Sequence, residues 1–300
     1  MKRLMRLLRL ILMIIFLIAG IGILLYPDYM NWHENNRHAG FIQQYNADIA
    51  LMAEAEIEYE LQRARIFNEG ITDISINDPW GEGANDVTGT DEYYTLLRFG
   101  DSGIMGRIEI PRIRVDLPIF HGSTSAALDH GVGHMPHTSL PIGGYGNHSI
   151  LTAHTGIVSA RLFTDLIELD LGDHFVVTIG GHRLLYEVDQ VDEVFPHEID
   201  VLQTYVDRDL ITLVTCTPYG VNSHRLLVRG TRVPYYEEIN LEDIEPIATE
   251  INIRHLAVIG ILIFIVLGSV YKWIAAKKRK NEKTLLDLKH EKEYNELFGG

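Results

Sequence analysis

Two uncharged apolar runs, one near each end and each walled on its outer side by basic residues, most constrain what this chain can fold into. Leu10 to Tyr26 spans 17 residues and follows Lys2, Arg3, Arg6 and Arg9. As a helix it would be about 25 Å long, a little short of the roughly 30 Å hydrocarbon core of a bilayer. Snorkelling of Arg9 and an interfacial Tyr26 cover that difference. Leu256 to Tyr271 is preceded by Arg254 and followed by Lys272, Lys277, Lys278, Arg279 and Lys280. A cleaved signal peptide is the rival for the first run, but no clear small-x-small cleavage site follows it. A buried core helix is the rival for either. By the positive-inside rule both termini are cytoplasmic and the segment between the runs is outside.

The charge distribution follows the same division. Of 300 residues, 1–26 carry +4 and 256–300 carry +3, whereas 27–255 hold 14 basic and 36 acidic residues. A segment this acidic has no use for nucleic-acid phosphates. All 14 of its basic residues are arginine, and every lysine lies in the two flanks. A single cysteine, Cys216, excludes an intramolecular disulfide and a multi-thiolate metal site.

Between the runs three stretches differ in pattern. From Asp28 to about Phe67, apolar residues such as Phe41, Tyr45, Ile49 and Met52 recur at helical spacing, predicting one or two amphipathic helices beside the membrane. Asn68 to Asp101 is polar and glycine-dotted around Asp78-Pro79-Trp80-Gly81, and reads as a long loop. From Gly106 to Val233 short alternating segments predict strands at Arg107–Ile110, Arg112–Val115, His148–Thr152, Phe175–Ile179, Leu184–Val188, Leu210–Thr215 and Leu226–Val233. Gly180-Gly181-His182-Arg183 is a hairpin signal, and Ser159–Leu166 is the one helix-like piece. Many short strands with a helical crossover predict a mainly β fold, a closed or nearly closed barrel.

Cys216 ends an alternating strand and precedes the turn Thr217-Pro218-Tyr219-Gly220. A lone cysteine is ordinarily a small buried hydrophobe. An unpaired thiol outside the cytoplasm is exposed to oxidation, however, and a strand end presents it at a barrel rim. A nucleophilic cysteine needs a base. Of 14 histidines, His154 is the better candidate, at a strand end and followed by Gly156. His130, His134 and His137 form a weak zinc pattern, because Gly131 and Gly133 argue against a helix and no metalloprotease glutamate accompanies them.

Thr212-Leu213-Val214-Thr215-Cys216 matches the T-L-x-T-C signature of sortases, the membrane-anchored cysteine transpeptidases of Gram-positive bacteria. Cys216 to Arg225, CTPYGVNSHR, is similar to the class C, pilin-polymerising branch. Leu151-Thr152-Ala153-His154-Thr155-Gly156 resembles the segment bearing the family histidine, with Ala153 where glycine is common, and Ser139 to Gly144 resembles the class C pattern upstream of it. The resemblance covers roughly Gly106 to Val233. It implies a sortase-like closed β-barrel with short helices, preceded by juxtamembrane helices and flanked by two transmembrane helices. The expected divisions are 1–26 cytoplasmic end and anchor, 27–67 juxtamembrane helices, 68–105 lid loop and 106–235 catalytic barrel. A linker (236–255), a second span (256–274) and a cytoplasmic tail (275–300) follow.

The same resemblance implies Cys216 as nucleophile, His154 as acid and base, and Arg225 as the group that stabilises the oxyanion or holds the substrate backbone. Asp78-Pro79-Trp80 resembles the class C lid, with Asp78 pairing with Arg225 and Trp80 covering the sulfur. The bland alternatives are an ordinary turn for the lid motif and a surface salt bridge for Arg225. The implied substrates are pilin subunits carrying LPxTG-like signals and acceptor lysines, with no cofactor and no metal. A lysine-free external segment would then deny the acyl-enzyme an amine of its own to acylate; arginine-biased codon usage is the bland reading. Two other classes compete. A tethered surface or adhesion protein would share the apolar run and basic tail, but Ile244-Glu245-Pro246-Ile247-Ala248 lacks the Thr-Gly pair of a sorting signal. A cysteine hydrolase would cleave without transfer.

Overall fold

The computed structural model describes residues 2–71, 78–81, 92–157, 159–202 and 204–235, the helix Leu256–Ile265 and a few helical positions up to 279. The chain divides into two units, Met1–Tyr26 with Thr249–Gly300, and Pro27–Ala248. Among the described residues, one helix is long and apolar enough to cross a membrane. It belongs to α1, Lys2–Leu51, which runs on through Pro27 instead of stopping at the end of the apolar run. A proline inside a helix removes one backbone hydrogen bond. Here it does not divide the apolar part from the amphipathic part. Leu256–Ile265 is a ten-residue apolar helix, shorter than a span on its own. The linker expected at 236–255 and most of the tail lie outside the described residues.

In the larger unit the second half of α1 and α2 (Glu54–Glu69) lie on a closed eight-stranded barrel. Glu54 and Glu56 suit the positive end of the α2 dipole, and the Glu56 carboxylate accepts the Ala53 backbone N–H. The strands are β1 (Ile104–Ile110), β2 (Val115–His121), β3 (Val132–His134), β4 (His148–Thr152), β5 (His174–Ile179), β6 (His182–Val194), β7 (Leu210–Thr217) and β8 (His224–Arg232). Their order around the barrel is β1-β2-β3-β4-β7-β8-β6-β5, and β5 pairs back onto β1. Closure leaves no sheet edge to protect. The pairings β2–β3 and β4–β7 are parallel; the others are antiparallel.

Three expectations change. Arg112–Val115 is not a strand: Pro111 starts a 3-10 turn and Arg114 takes a left-handed conformation, so β2 begins only at Val115. Ser159–Leu166 is not a helix. Its described residues form turns, with Leu162 at positive φ, before a 3-10 turn at Leu166–Glu168. The stretch expected to be lid loop up to residue 105 is only partly loop. Tyr93, Leu96, Leu97 and Phe99 are fully buried core, and β1 starts at Ile104.

The helices dock through the β5–β6 hairpin. Ile179 pairs with His182, which leaves Gly180-Gly181 as a two-residue loop with both residues at positive φ. The Tyr45 hydroxyl of α1 accepts the Gly180 N–H at 2.8 Å, and a Cβ on Gly180 would meet Ile57 of α2 at 2.9 Å and Phe99 at 3.1 Å. Gly180→Ala is therefore expected to destabilise the protein by about 1–3 kcal/mol, through both turn strain and helix displacement. Urea denaturation measures it; unchanged stability would mean that the helices are not seated on this hairpin. On the opposite side, Asn68 at the end of α2 bonds both backbone groups of Leu140.

Candidate active site

Adjoining strands bring Cys216, His154 and Arg225 to one end of the barrel. Cys216 and Arg225 are direct partners across the antiparallel β7–β8 pair, so their side chains leave the sheet on the same face. Parallel pairing of β4 with β7 runs to Thr152 opposite Val214. Beyond the strand, the Ala153 N–H donates to the Val214 carbonyl at 3.2 Å, and Thr215 Oγ1 donates to the Ala153 carbonyl at 2.8 Å. These bonds carry His154 alongside the end of β7. Gly156 follows with φ +70, and a Cβ there would stand 3.2 Å from the Tyr219 ring, which explains a small residue beside the histidine.

The lid motif lies in this group. Asp78-Pro79-Trp80-Gly81 forms a four-residue turn closed by a 2.9 Å bond from the Gly81 N–H to the Asp78 carbonyl; aspartate first, proline second and glycine fourth suit such a turn. Arg225 Nε donates to Asp78 Oδ1 at 2.6 Å and Nη2 to Oδ2 at 2.8 Å. Arg225 Nη1 donates to the carbonyls of Asn222 and His224, at 3.1 and 2.9 Å. Four of the five guanidinium N–H groups are thereby engaged. The side chains of Arg225 and Asp78 are only 8% and 16% exposed, so this is a bidentate, largely desolvated pair and not a surface one.

Trp80 makes a contact that sequence reasoning missed. Its indole N–H donates to His154 Nδ1 at 3.2 Å, while the Arg225 guanidinium carbon lies 5.0 Å from its ring centroid. The indole is thus held by His154 and by Arg225, and it packs on an apolar patch that includes Ile150, Val214 and Leu227. No pattern in the chain pointed to Asp129 either. Its Oδ1 lies 3.9 Å from His154 Nε2, brought there by the loop after the short helix α3 (Ser125–Leu128). Of the weak histidine cluster, His134 is fully buried and bonded to Tyr93 and to the Ser139 carbonyl.

The electrostatics describe a site at rest. Burial pushes the Cys216 thiol up to about 11; the Arg225 charge opposes that and the Asp78 carboxylate adds to it. Cys216 is 8% exposed, and at neutral pH it is a thiol. Burial lowers His154 as well, against the pull of Asp129, and keeps its ring neutral. For Arg225 burial works against the charge, but the bonds to Asp78 outweigh it and hold the guanidinium cationic.

A strand-end cysteine, a neighbouring histidine and an arginine opposite the cysteine on a closed barrel find direct counterparts among known proteins. The sortase domain model matches residues 108–233. Sortase C-1 of Actinomyces oris is 47% identical, with a TM-score of 0.57, over 60% of this chain and 99% of that one. The chain belongs to the sortase family. Sortase C1 of Streptococcus agalactiae is 37% identical over 68% of this chain and 99% of its own, with a TM-score of 0.61. Sortase C-1 of Streptococcus pneumoniae is 41% identical over 67% and 100%, with a TM-score of 0.60. These relatives agree with the class C resemblance read from the residues around Cys216. Among curated sequences, sortase A of Bacillus anthracis is 32% identical over 130 residues. The match spans 60% of that protein, and 47% of sortase A from Streptococcus agalactiae, less than two thirds of each. Sortases are cysteine transpeptidases.

Proposed function

We propose that this sortase polymerises pilins, joining the sorting signal of one subunit to a lysine of the next. The observation that carries the reading is the grouping of Cys216, His154 and Arg225 at one barrel end, with a carboxylate and an indole occupying the last two. For the related sortase C of Streptococcus pneumoniae, the crystal structure provides insights into catalysis and pilin substrate specificity. In the first half-reaction Cys216 Sγ attacks the threonine carbonyl carbon of an LPxTG-like signal. The imidazole takes the S–H proton as the sulfur attacks; a C–S bond forms, the C–N bond breaks, and His154 passes that proton to the departing amine. In the second, His154 takes a proton from a lysine amine as that nitrogen attacks the thioester; C–N forms, C–S breaks, and His154 returns the proton to the departing sulfur. Arg225 carries fixed donors for the oxyanion of both tetrahedral intermediates.

The barrel works outside the cell. The apolar part of α1 anchors it, Leu256 to Tyr271 supplies a second span, and the basic flanks hold both termini in the cytoplasm. The lysine-free segment 27–255 fits this placement, since all eight lysines would lie across the membrane from the thioester.

The test is incubation of the full chain in detergent with LPxTG-like peptides and lysine-bearing acceptor peptides, followed by mass analysis. Thioester at Cys216 and an amide to the acceptor are expected. Cleavage without transfer would make the protein a hydrolase, and no thioester with any peptide would remove the transpeptidase reading.

The lid has its own expected result. Alkylation of Cys216 should be slow in the wild type, faster in Asp78→Ala and fastest in Trp80→Ala. Asp78→Ala frees Arg225, and Trp80→Ala removes a large, partly buried ring as well as the bond to His154. The thiol's high pKa also makes wild-type alkylation keep rising with pH beyond 9, towards about 11. Equal rates in all three proteins would make the turn an ordinary connector.

A further inference from the structure

We propose that His154 transfers protons through Nδ1, that Asp129 holds the opposite edge of the ring through Nε2–H, and that Trp80 disables the histidine by capping Nδ1. The inference rests on the transpeptidase reading and adds to it a positioning residue and the identity of the working nitrogen.

The tautomer follows from one bond. An indole N–H only donates, so the ring nitrogen it points at holds a lone pair. That nitrogen is Nδ1. A neutral imidazole then carries its proton on Nε2, the side that faces Asp129 Oδ1. At 3.9 Å the two groups are further apart than a direct hydrogen bond, a separation that a small side-chain rotation closes. The carboxylate's backbone is fixed, because Asp129 closes α3 with its N–H bonded to the Ser125 carbonyl at 2.8 Å.

The working nitrogen follows from what the indole touches. Trp80 meets His154 on one side and Arg225 on the other, and Arg225 is paired with Cys216 across the strands. When the lid leaves, the space opened faces both Nδ1 and the guanidinium beside the sulfur. A scissile amide placed there turns its oxygen to Arg225 and its nitrogen to Nδ1. Nε2 is turned to Asp129 and need not leave it during either proton transfer. Among the described residues, the charged and titratable groups around the ring are Asp129 on the loop after α3, Cys216 on β7, Arg225 on β8 with Asp78 of the lid, and Tyr219 in the β7–β8 turn against Gly156. Asp129 is the carboxylate that contacts the ring, and it favours the imidazolium needed to protonate the departing amine.

The test uses the full chain in detergent, labelled with ¹⁵N-histidine, and identifies His154 by its loss in His154→Gln. The wild type is expected to show an Nε2–H tautomer with Nδ1 as acceptor. Trp80→Phe keeps a ring in the lid and should move the Nδ1 resonance to that of a free lone pair. Asp129→Asn should lower the titration midpoint of His154, and Asp129→Glu should restore it. In a lid-open Trp80→Ala background, Asp129→Asn should reduce kcat about two- to fivefold with KM unchanged, as expected for a carboxylate that is 60% exposed. The acid limb of the pH–rate profile should move to lower pH, because the neutral ring that accepts the thiol proton persists to lower pH. An Nδ1–H tautomer in the wild type, or an unshifted midpoint and profile in Asp129→Asn, would overturn the proposal. The spectra do not depend on turnover. Full activity of His154→Gln in the lid-open background would instead overturn the transpeptidase role of the histidine itself.

Discussion

Cys216→Ala is expected to abolish thioester formation with every peptide while leaving the barrel folded. No other side chain of this protein supplies a thiol, and a thioester cannot form without one. The fold loses little. Cys216 lies next to the end of β7, and its backbone pairing with Arg225 does not depend on the sulfur. Removing one buried heavy atom costs about 1 kcal/mol, a shift of a few degrees in Tm for a protein of this size. Mass analysis after peptide incubation, paired with a thermal melt, measures both. A collapse in Tm would mark a structural cysteine, and a surviving thioester would mean that the nucleophile has been misassigned.

Arg225→Ala, measured in the Trp80→Ala background so that the lid does not mask the result, is expected to lower kcat by about 10²–10³-fold. Arg225→Lys should not restore it. The guanidinium holds two carbonyls with one nitrogen while its other edge presents two parallel donors, now on Asp78, and an ammonium cannot reproduce that fork. The two bonds to the carbonyls of Asn222 and His224 remain when Asp78 leaves, so the donor edge is already aimed before substrate arrives. Activity within a fewfold of the control in either variant would leave Arg225 as a lid latch with no part in the chemistry.

Much of this was legible in the sequence because the informative segments are local. The alternation of Leu210 to Thr215 marked β7, the paired glycines marked the hairpin, and the residues from Thr212 to Arg225 carried the family. Tertiary context hid the rest. β2 contains Pro118, which ordinarily demotes a strand; here it pairs only with Arg107 of β1, and the pairing to β3 starts one residue later at Ile119. β3 is three residues long, too short for any periodicity to register. The stretch Arg112–Val115 alternates like a strand, but a proline start and the left-handed Arg114 make it a turn. At the site, the pairing of Asp78 with Arg225 was expected and observed, and the burial of both side chains rules out the surface salt bridge that was the alternative for Arg225. Trp80 meets His154, a partner that no spacing could indicate across 74 positions. Asp129 sits in a loop with no motif at all.

The closed turn sets how the enzyme would respond to substrate supply. On the proposed function a sorting signal would have to take the places of the Asp78 carboxylate and the Trp80 indole at once, so its apparent affinity would be the intrinsic one scaled by the open fraction. A free peptide faces that scaling at whatever concentration it has in solution. A pilin held in the same membrane would face it at an effective local concentration that reaches the millimolar range for short tethers. On the proposed function the turn would then work as a threshold on presentation, discriminating by how a signal is delivered and not only by how its residues fit. Soluble fragments bearing the same motif would pass the site largely unprocessed, and fibre growth would be confined to subunits already docked at the membrane.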